Sequence, residues 1–127
     1  MSEVRKPGKE ISGRLLDFAT AVLALSNRMG RTASSRYLAN QLVRAACSAG
    51  ANYQESRGAE SRADFVHKMH IVLKELREAH YWLVLVERSR LVSGEGVASL
   101  LDEANQLVSI LVKALVTAKA RRPTSDI

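Results

Sequence analysis

Five polar residues on one stretch carry the most chemical information. Gln41, Arg44, Ser48, Asn52 and Glu55 follow at steps of three, four, four and three, which places all five on one helical face. Two readings stay open from the spacing: the solvated side of an amphipathic helix, or a hydrogen-bonded seam inside a bundle or at a subunit contact. Asn and Ser compete for backbone hydrogen bonds within helices, so their use here points to specific partners. An arginine partly withdrawn from water needs a carboxylate. Glu75 or Glu78, one turn apart, is the expected partner of Arg44.

Other reactive residues lead less far. Asp64, His67 and His70 follow at steps of three, with His80 further along the same segment. A di-iron bundle takes a Glu-x-x-His from each of two helices and a Glu from each of the others. This chain offers one Asp-x-x-His and keeps all its histidines on one segment, so no metal is expected. The sole cysteine, Cys47, lies among small residues with Arg44 one turn away. No histidine is placed to act as its base, and it reads as a packed, inert thiol. Gly94-x-Gly96 has neither a strand before it nor a Lys and Ser/Thr after it, so it is a loop and not a phosphate cradle. No catalytic motif is complete. The chain reads as non-enzymatic, without a cofactor.

These residues need elements to position them, and the periodicity supplies four. Ile11, Leu15, Phe18, Val22, Leu25 and Met29 share one face of a first helix starting at Glu10, with Gly30 as terminator. A second helix runs from about Ser35 to Arg57, capped by Ser34 or Ser35. Its stripe is Leu38, Leu42, Ala45, Ala46, Ala49 and Tyr53. In its middle, Ala45, Ala46, Cys47, Ser48, Ala49, Gly50 and Ala51 follow one another, which lets a neighbouring helix come close. Close packing is the expected offset for Gly50, since glycine inside a helix costs roughly 1 kcal/mol relative to alanine. Gly58 ends this helix. Ser61-Arg62-Ala63-Asp64 fits the capping pattern and opens a third helix reaching about Leu91, with Phe65, Met69, Val72, Leu76, Ala79, Leu83 and Val86 facing the core. Ser93-Gly94-Glu95-Gly96 is the next break. A fourth helix, from about Gly96 to Ala120, is lined by Val97, Leu100, Leu101, Ala104, Leu107, Val108, Leu111 and Leu115.

No period-two stretch occurs, so the predicted fold is all-α, an antiparallel up-down-up-down four-helix bundle. The bundle spans residues 10–120, between a flexible N-terminal segment, 1–9, and a flexible C-terminal tail, 121–127. The chain of 127 residues, 46% hydrophobic and 25% charged, suits one soluble domain with its own core. Its longest apolar run, Tyr81 to Val86, is too short to span a bilayer. With a lone cysteine and no apolar run after the basic start, it reads as cytoplasmic, without a membrane partner.

Two surfaces exceed what one folded chain requires. Helices three and four carry apolar residues outside their main stripes: Ile71, Trp82, Val84 and Leu85 on one, Ile110, Val112 and Val116 on the other. A helix that is apolar on two faces must bury both, so these form the expected surface for self-association into a homo-oligomer. The net charge is +6. In an antiparallel bundle Arg28, Arg31, Arg36, Arg88 and Arg90 gather at one end, opposed mainly by Glu87 and Glu95. The other end mixes Lys6, Lys9, Arg57, Arg62, Lys119, Arg121 and Arg122 with Glu10, Glu55, Glu60 and Asp64. The first end is the cleaner positive patch. It is the candidate contact for RNA or a ribosome, against the alternative of arginines that only keep loops soluble.

The stretch from Gln41 to Glu55 also resembles a known family, the four-helix-bundle proteins related to those encoded in intervening sequences of bacterial 23S ribosomal RNA. Their signature has Gln, a basic pair or single Arg, two Ala, Ser, a Pro or Gly, Asn, and Glu; here Gln41, Arg44, Ala45, Ala46, Ser48, Asn52 and Glu55 match it. Arg62, Asp64, Phe65 and Lys68, continuing through Leu73-Lys74-Glu75, Glu78 and Tyr81-Trp82-Leu83, are similar to the family's third helix. The resemblance covers about Ile11 to Leu115. It implies a small bundle, a homopentamer and no enzymatic activity. The link to ribosomal RNA implied by it is one of gene position. The chain departs from the family at Gly50, where many members have Pro, and at Tyr53-Gln54 and Ser56, where Ile-Ala and Gly are frequent.

Overall fold

The computed structural model describes residues 10–92 and 96–120. The segments 1–9 and 121–127, and the Ser93-Gly94-Glu95 part of the third break, lie outside the described residues. Four helices account for nearly all the rest: α1 (Ile11–Ser26), α2 (Ala33–Arg57), α3 (Arg62–Ser89) and α4 (Gly96–Ala120). No strand occurs among the described residues, and no described helix is long and apolar enough to cross a membrane. Each helix packs against its chain neighbours, α1 also packs against α4, and the diagonal pairs do not touch. The four therefore surround one core.

That core is mostly the set expected from the periodicity, but Ile11, Tyr53, Phe65, Leu101 and Val108 are only partly buried against it, and Leu73 joins it. Phe18, Leu42, Leu76, Leu83, Leu107 and Leu111 are its largest fully buried members. Ala45, Ala46 and Ala49 of α2 are completely buried as well, and these supply the close approach of neighbouring helices. Gly50 does not. A Cβ placed there would meet Leu15 Cβ at 3.8 Å, an ordinary contact, so packing within the chain does not demand glycine at that position.

Helix ends correct several expected boundaries. The α2 cap is Thr32, not Ser34 or Ser35: its extended backbone stops the helix and its side chain accepts from the Ser35 amide. Ser35 is buried instead. The first helix ends at Ser26, before Gly30. The chain then continues in turns, with the Arg28 and Met29 amides donating to Leu25 and Ser26 carbonyls, and Met29 still reaches the core. At α3 the Ser61 hydroxyl accepts from the Asp64 amide as the capping pattern requires. That helix stops at Ser89 rather than Leu91, because Arg90 adopts a left-handed conformation, φ 55°, which breaks the helical ladder.

Contacts between helix ends fix how the elements meet. Glu10, at the start of α1, pairs with Arg57 at the end of α2 (3.1 Å). Ser56 near the end of α2 reaches Met69 of α3. The Arg62 guanidinium, at the start of α3, donates to the Ala118 carbonyl at the end of α4 (2.6 Å).

Loss of the Thr32 cap provides a direct check. Thr32→Ala leaves one amide of the first α2 turn without its acceptor and should cost about 1 kcal/mol, read as a lower urea midpoint at unchanged slope.

Candidate functional site

The polar face of α2 divides into two parts. Arg44 bridges α2 to α3: its Nη1 lies 3.2 Å from Glu75 Oε1, and its Nη2 donates to Glu78 Oε2. The ion pair expected from the sequence is present, and it engages both glutamates. Trp82, one turn beyond Glu78, donates from Nε1 to the same carboxylate oxygen (3.1 Å). Its ring meets Tyr37 of α2 edge-on, with centroids 5.9 Å apart, and Tyr81 at 5.2 Å. Glu75 is only 9% exposed, which explains why a guanidinium must attend it.

Below Arg44 the seam turns local. The Asn52 side chain donates to the Ser48 carbonyl (2.9 Å) and hydroxyl (3.0 Å), both one turn back on the same helix. The specific partners of these two residues are therefore each other rather than a neighbouring helix. Gln41 is half-buried. Glu55 is exposed and lies 3.9 Å from Lys68, which also approaches Asp64.

The electrostatics follow from this geometry. The hydrogen bond from Arg44 holds the Glu78 carboxyl below its ordinary range, against an opposing push from burial, and the Trp82 hydrogen bond adds to the lowering. Reciprocally, the hydrogen bond to Glu78 raises the Arg44 guanidinium.

A second network was not legible in the sequence. Arg14 of α1 donates from Nε and Nη2 to the two carboxylate oxygens of Glu103 on α4, at 3.1 and 2.9 Å, and from Nη2 to Gln106 at 2.9 Å. The Arg14 and Glu103 side chains are 13% and 18% exposed, so this pair is better shielded than the Arg44 pair. The usable signal was Arg14 standing beside core residue Leu15, with Glu103 and Gln106 one turn apart. Nothing in the spacing joined α1 to α4.

The expected arginine patch is exposed throughout: Arg28, Arg31, Arg36, Arg88 and Arg90 all face solvent. Arg28, Arg31 and Arg36 flank the α1–α2 junction, and Arg88 and Arg90 end α3. The Tyr37–Trp82 contact brings the start of α2 beside the last turns of α3, and Arg28 lies against Gly96 at the start of α4. The five therefore share one end of the molecule. Glu87 is exposed beside them, while Glu95 falls outside the described residues.

The expected apolar surface is mostly half-buried within the chain. Trp82, Leu85, Ile110 and Val112 are half-buried and pack against the core of the same chain. Ile71 is half-buried, and Val116 alone of the set is exposed. Helices α3 and α4 each lie against two neighbours, so part of their wide apolar faces is covered within the chain. Among the described residues, the large hydrophobics left in solvent are Leu16, Leu23, Tyr37, Tyr81 and Val116. Cys47 is also exposed, contrary to the packed thiol expected: it stands on the outer side of the small-residue run, whereas Ala45, Ala46 and Ala49 stand on the inner side.

With this geometry in view, the sequence matches the family described as 23S rRNA-intervening sequence protein over residues 10–113. The chain belongs to that family. A crystal structure from Bacteroides thetaiotaomicron VPI-5482, of a protein of unknown function from the S23 ribosomal protein family, superposes with a TM-score of 0.75. The two are 29% identical, over 84% of this chain and 98% of that one. No curated protein matches the sequence. The match to the intervening-sequence protein family reaches into all four helices and includes Arg44, Glu75 and Glu78.

The Arg44 cluster yields a signed pH dependence. The Glu78 carboxyl is lowered on folding, so its contribution is present above the unfolded value of 4.5 and is lost as pH falls through the lower folded value. Glu78→Gln should destabilise the protein by roughly 0.5–1 kcal/mol at neutral pH, given the partial exposure of the pair. The difference from wild type should vanish in strong acid, as read from urea midpoints across an acid titration.

Proposed function

We propose that this chain is a non-enzymatic interaction module that acts as the subunit of a homo-oligomer. Its folding unit is an antiparallel up-down-up-down bundle, supported by the contacts between Glu10 and Arg57, Tyr37 and Trp82, and Arg62 and Ala118. One observation carries the self-association reading. Leu16 and Leu23 remain exposed on one stripe of α1 while Leu15, Phe18 and Val22 of the same helix are packed inside, and apolar side chains grouped on a rigid element favour a partner over water. The family resemblance supports five copies. The cytoplasm suits the exposed Cys47, which has no second cysteine in this chain to pair with.

Light scattering coupled to size exclusion tests this reading. The expected mass is a multiple of the 13.9 kDa chain, five-fold for the pentamer. A single-chain mass at every concentration overturns it.

The arginine end favours a second reading, RNA or ribosome association. Five exposed arginines at one end offer a surface for phosphates, which arginine engages through two parallel hydrogen bonds. Binding to structured RNA should weaken steeply as salt rises, because each neutralised phosphate releases a counterion. Replacing Arg31, Arg36 and Arg90 with Gln should weaken binding and flatten the salt slope by about one for each lost contact. Binding that ignores salt, or survives the triple replacement, rejects this reading.

A further inference from the structure

Two tyrosines stand in solvent beside a tryptophan that is held in place. Tyr37 of α2 is 55% exposed and Tyr81 of α3 60%. Both meet the half-buried Trp82 ring edge-on, with centroids 5.9 and 5.2 Å away. Trp82 is fixed by its bond to Glu78, which Arg44 holds in turn. The three rings therefore form a braced cluster bridging α2 and α3. An edge-on contact occupies at most one face of a ring, so each tyrosine keeps a face that Trp82 does not cover.

The surroundings of this cluster are cationic. Lys74, Arg77, Tyr81 and Arg88 are all exposed. They follow at steps of three, four and seven, which puts them on one face of α3, over roughly 21 Å. The carboxylates of α3 do not interrupt that face. Arg44 takes Glu75 and Glu78, Lys68 lies by Asp64, and Glu87 stands about a quarter turn from Arg88. On α2, Arg36 is exposed next to Tyr37. Arg36 and Arg88 also belong to the arginine end, so the aromatic face and that end are continuous.

Exposed aromatic faces among cations suit one class of partner. Each nucleotide of a nucleic acid carries a phosphate and a flat base. In a duplex the bases stack on one another, and a tyrosine face finds nothing to cover. Unpaired bases can stack on aromatic side chains while lysine and arginine follow the backbone. An acidic protein surface answers the cations alone.

We infer that the α2–α3 face binds an unpaired stretch of RNA, with bases stacked on Tyr37 and Tyr81 and phosphates held by Lys74, Arg77 and Arg88. This rests on the RNA reading above and adds to it the strandedness of the ligand and a second part of the surface.

Fluorescence anisotropy across a salt series compares a labelled single-stranded RNA of mixed sequence with the duplex it forms with its complement. The single strand should bind about tenfold tighter or more. Tyr37→Leu and Tyr81→Leu should each weaken single-strand binding by about tenfold, at unchanged helix content and salt slope, and should leave duplex binding as it was. Tyr37→Phe and Tyr81→Phe keep the ring and should bind as wild type does. Lys74→Gln combined with Arg77→Gln should flatten the single-strand salt slope by roughly 0.7 for each lost phosphate contact. A duplex bound as tightly as the single strand, or single-strand binding that survives loss of both tyrosine rings, overturns the inference and leaves the RNA reading standing. A tyrosine effect of equal size on both probes also overturns it, since the rings then support the surface rather than meet bases. Salt-dependent binding of neither probe overturns both.

Discussion

A helix with only small residues through its middle cannot fill a core by itself. It contributes by letting its neighbours come close enough to fill the space with theirs. That constraint governs α2, where Ala45, Ala46 and Ala49 are completely buried and Leu38 and Leu42 precede them. The large side chains come from the other helices: Phe18, Leu76, Leu83, Leu107 and Leu111. Close approach makes the interior sensitive to volume, because core atoms already at van der Waals contact have no slack to absorb an extra methylene. It also sets the relative height of the helices, since an alanine accepts a neighbour's bulk only where the two are opposite.

The arginines then act at the edges of this packing. Arg14 joins α1 to α4 through Glu103 and Gln106, Arg44 joins α2 to α3 through Glu75 and Glu78, and Arg62 joins α3 to the last turn of α4. Apolar contacts have no direction and tolerate small slips. A guanidinium with two acceptors does not, because its donors lie in a fixed plane. The half-exposed Arg44 pair adds little energy by the usual measure of surface ion pairs. It also sets a cation beside Glu75, a buried carboxylate that would be costly to hold without one.

The sequence made the inside legible because core positions obey a strict period: the buried faces of all four helices follow the steps of three and four read from the residues alone. The Arg44 pairing was legible for the same reason, as two carboxylates one turn apart on α3 have one direction to face. The outside obeyed no such rule. Trp82, Leu85, Ile110 and Val112 lie beyond the main stripes, yet they close against the core because α3 and α4 each have two neighbours. Leu16 lies one residue from Leu15 and points into solvent. Whether a second apolar stripe is covered depends on where the adjacent helix lies, a property of the fold and not of the stripe. Cys47 was misjudged for that reason: a run of small residues winds around the helix, so some of its members face inward and others outward.

Two exposed features, a neutral groove between α1 and α2 and a cationic end, occupy different parts of the molecule, and their separation has a consequence for any ring built from this chain. Cyclic symmetry rotates a subunit about the axis without changing its height along that axis. Every copy therefore presents its arginine end at the same level, and five arginines become a band whose charge grows with each subunit added. Such a band repels itself, but exposed charges separated by more than about 8 Å are largely screened at physiological salt. The contact that holds the ring need only avoid adding like charges at close range, where screening fails. The groove between α1 and α2, whose lining includes Leu16, Leu23, Cys47, Gly50, Thr20 and Gln54, carries no ionised side chain, so a contact there would meet that requirement and leave the arginine end exposed. Assembly through an uncharged surface would thus be compatible with phosphate recognition at the arginine end, since the two would not compete for the same residues.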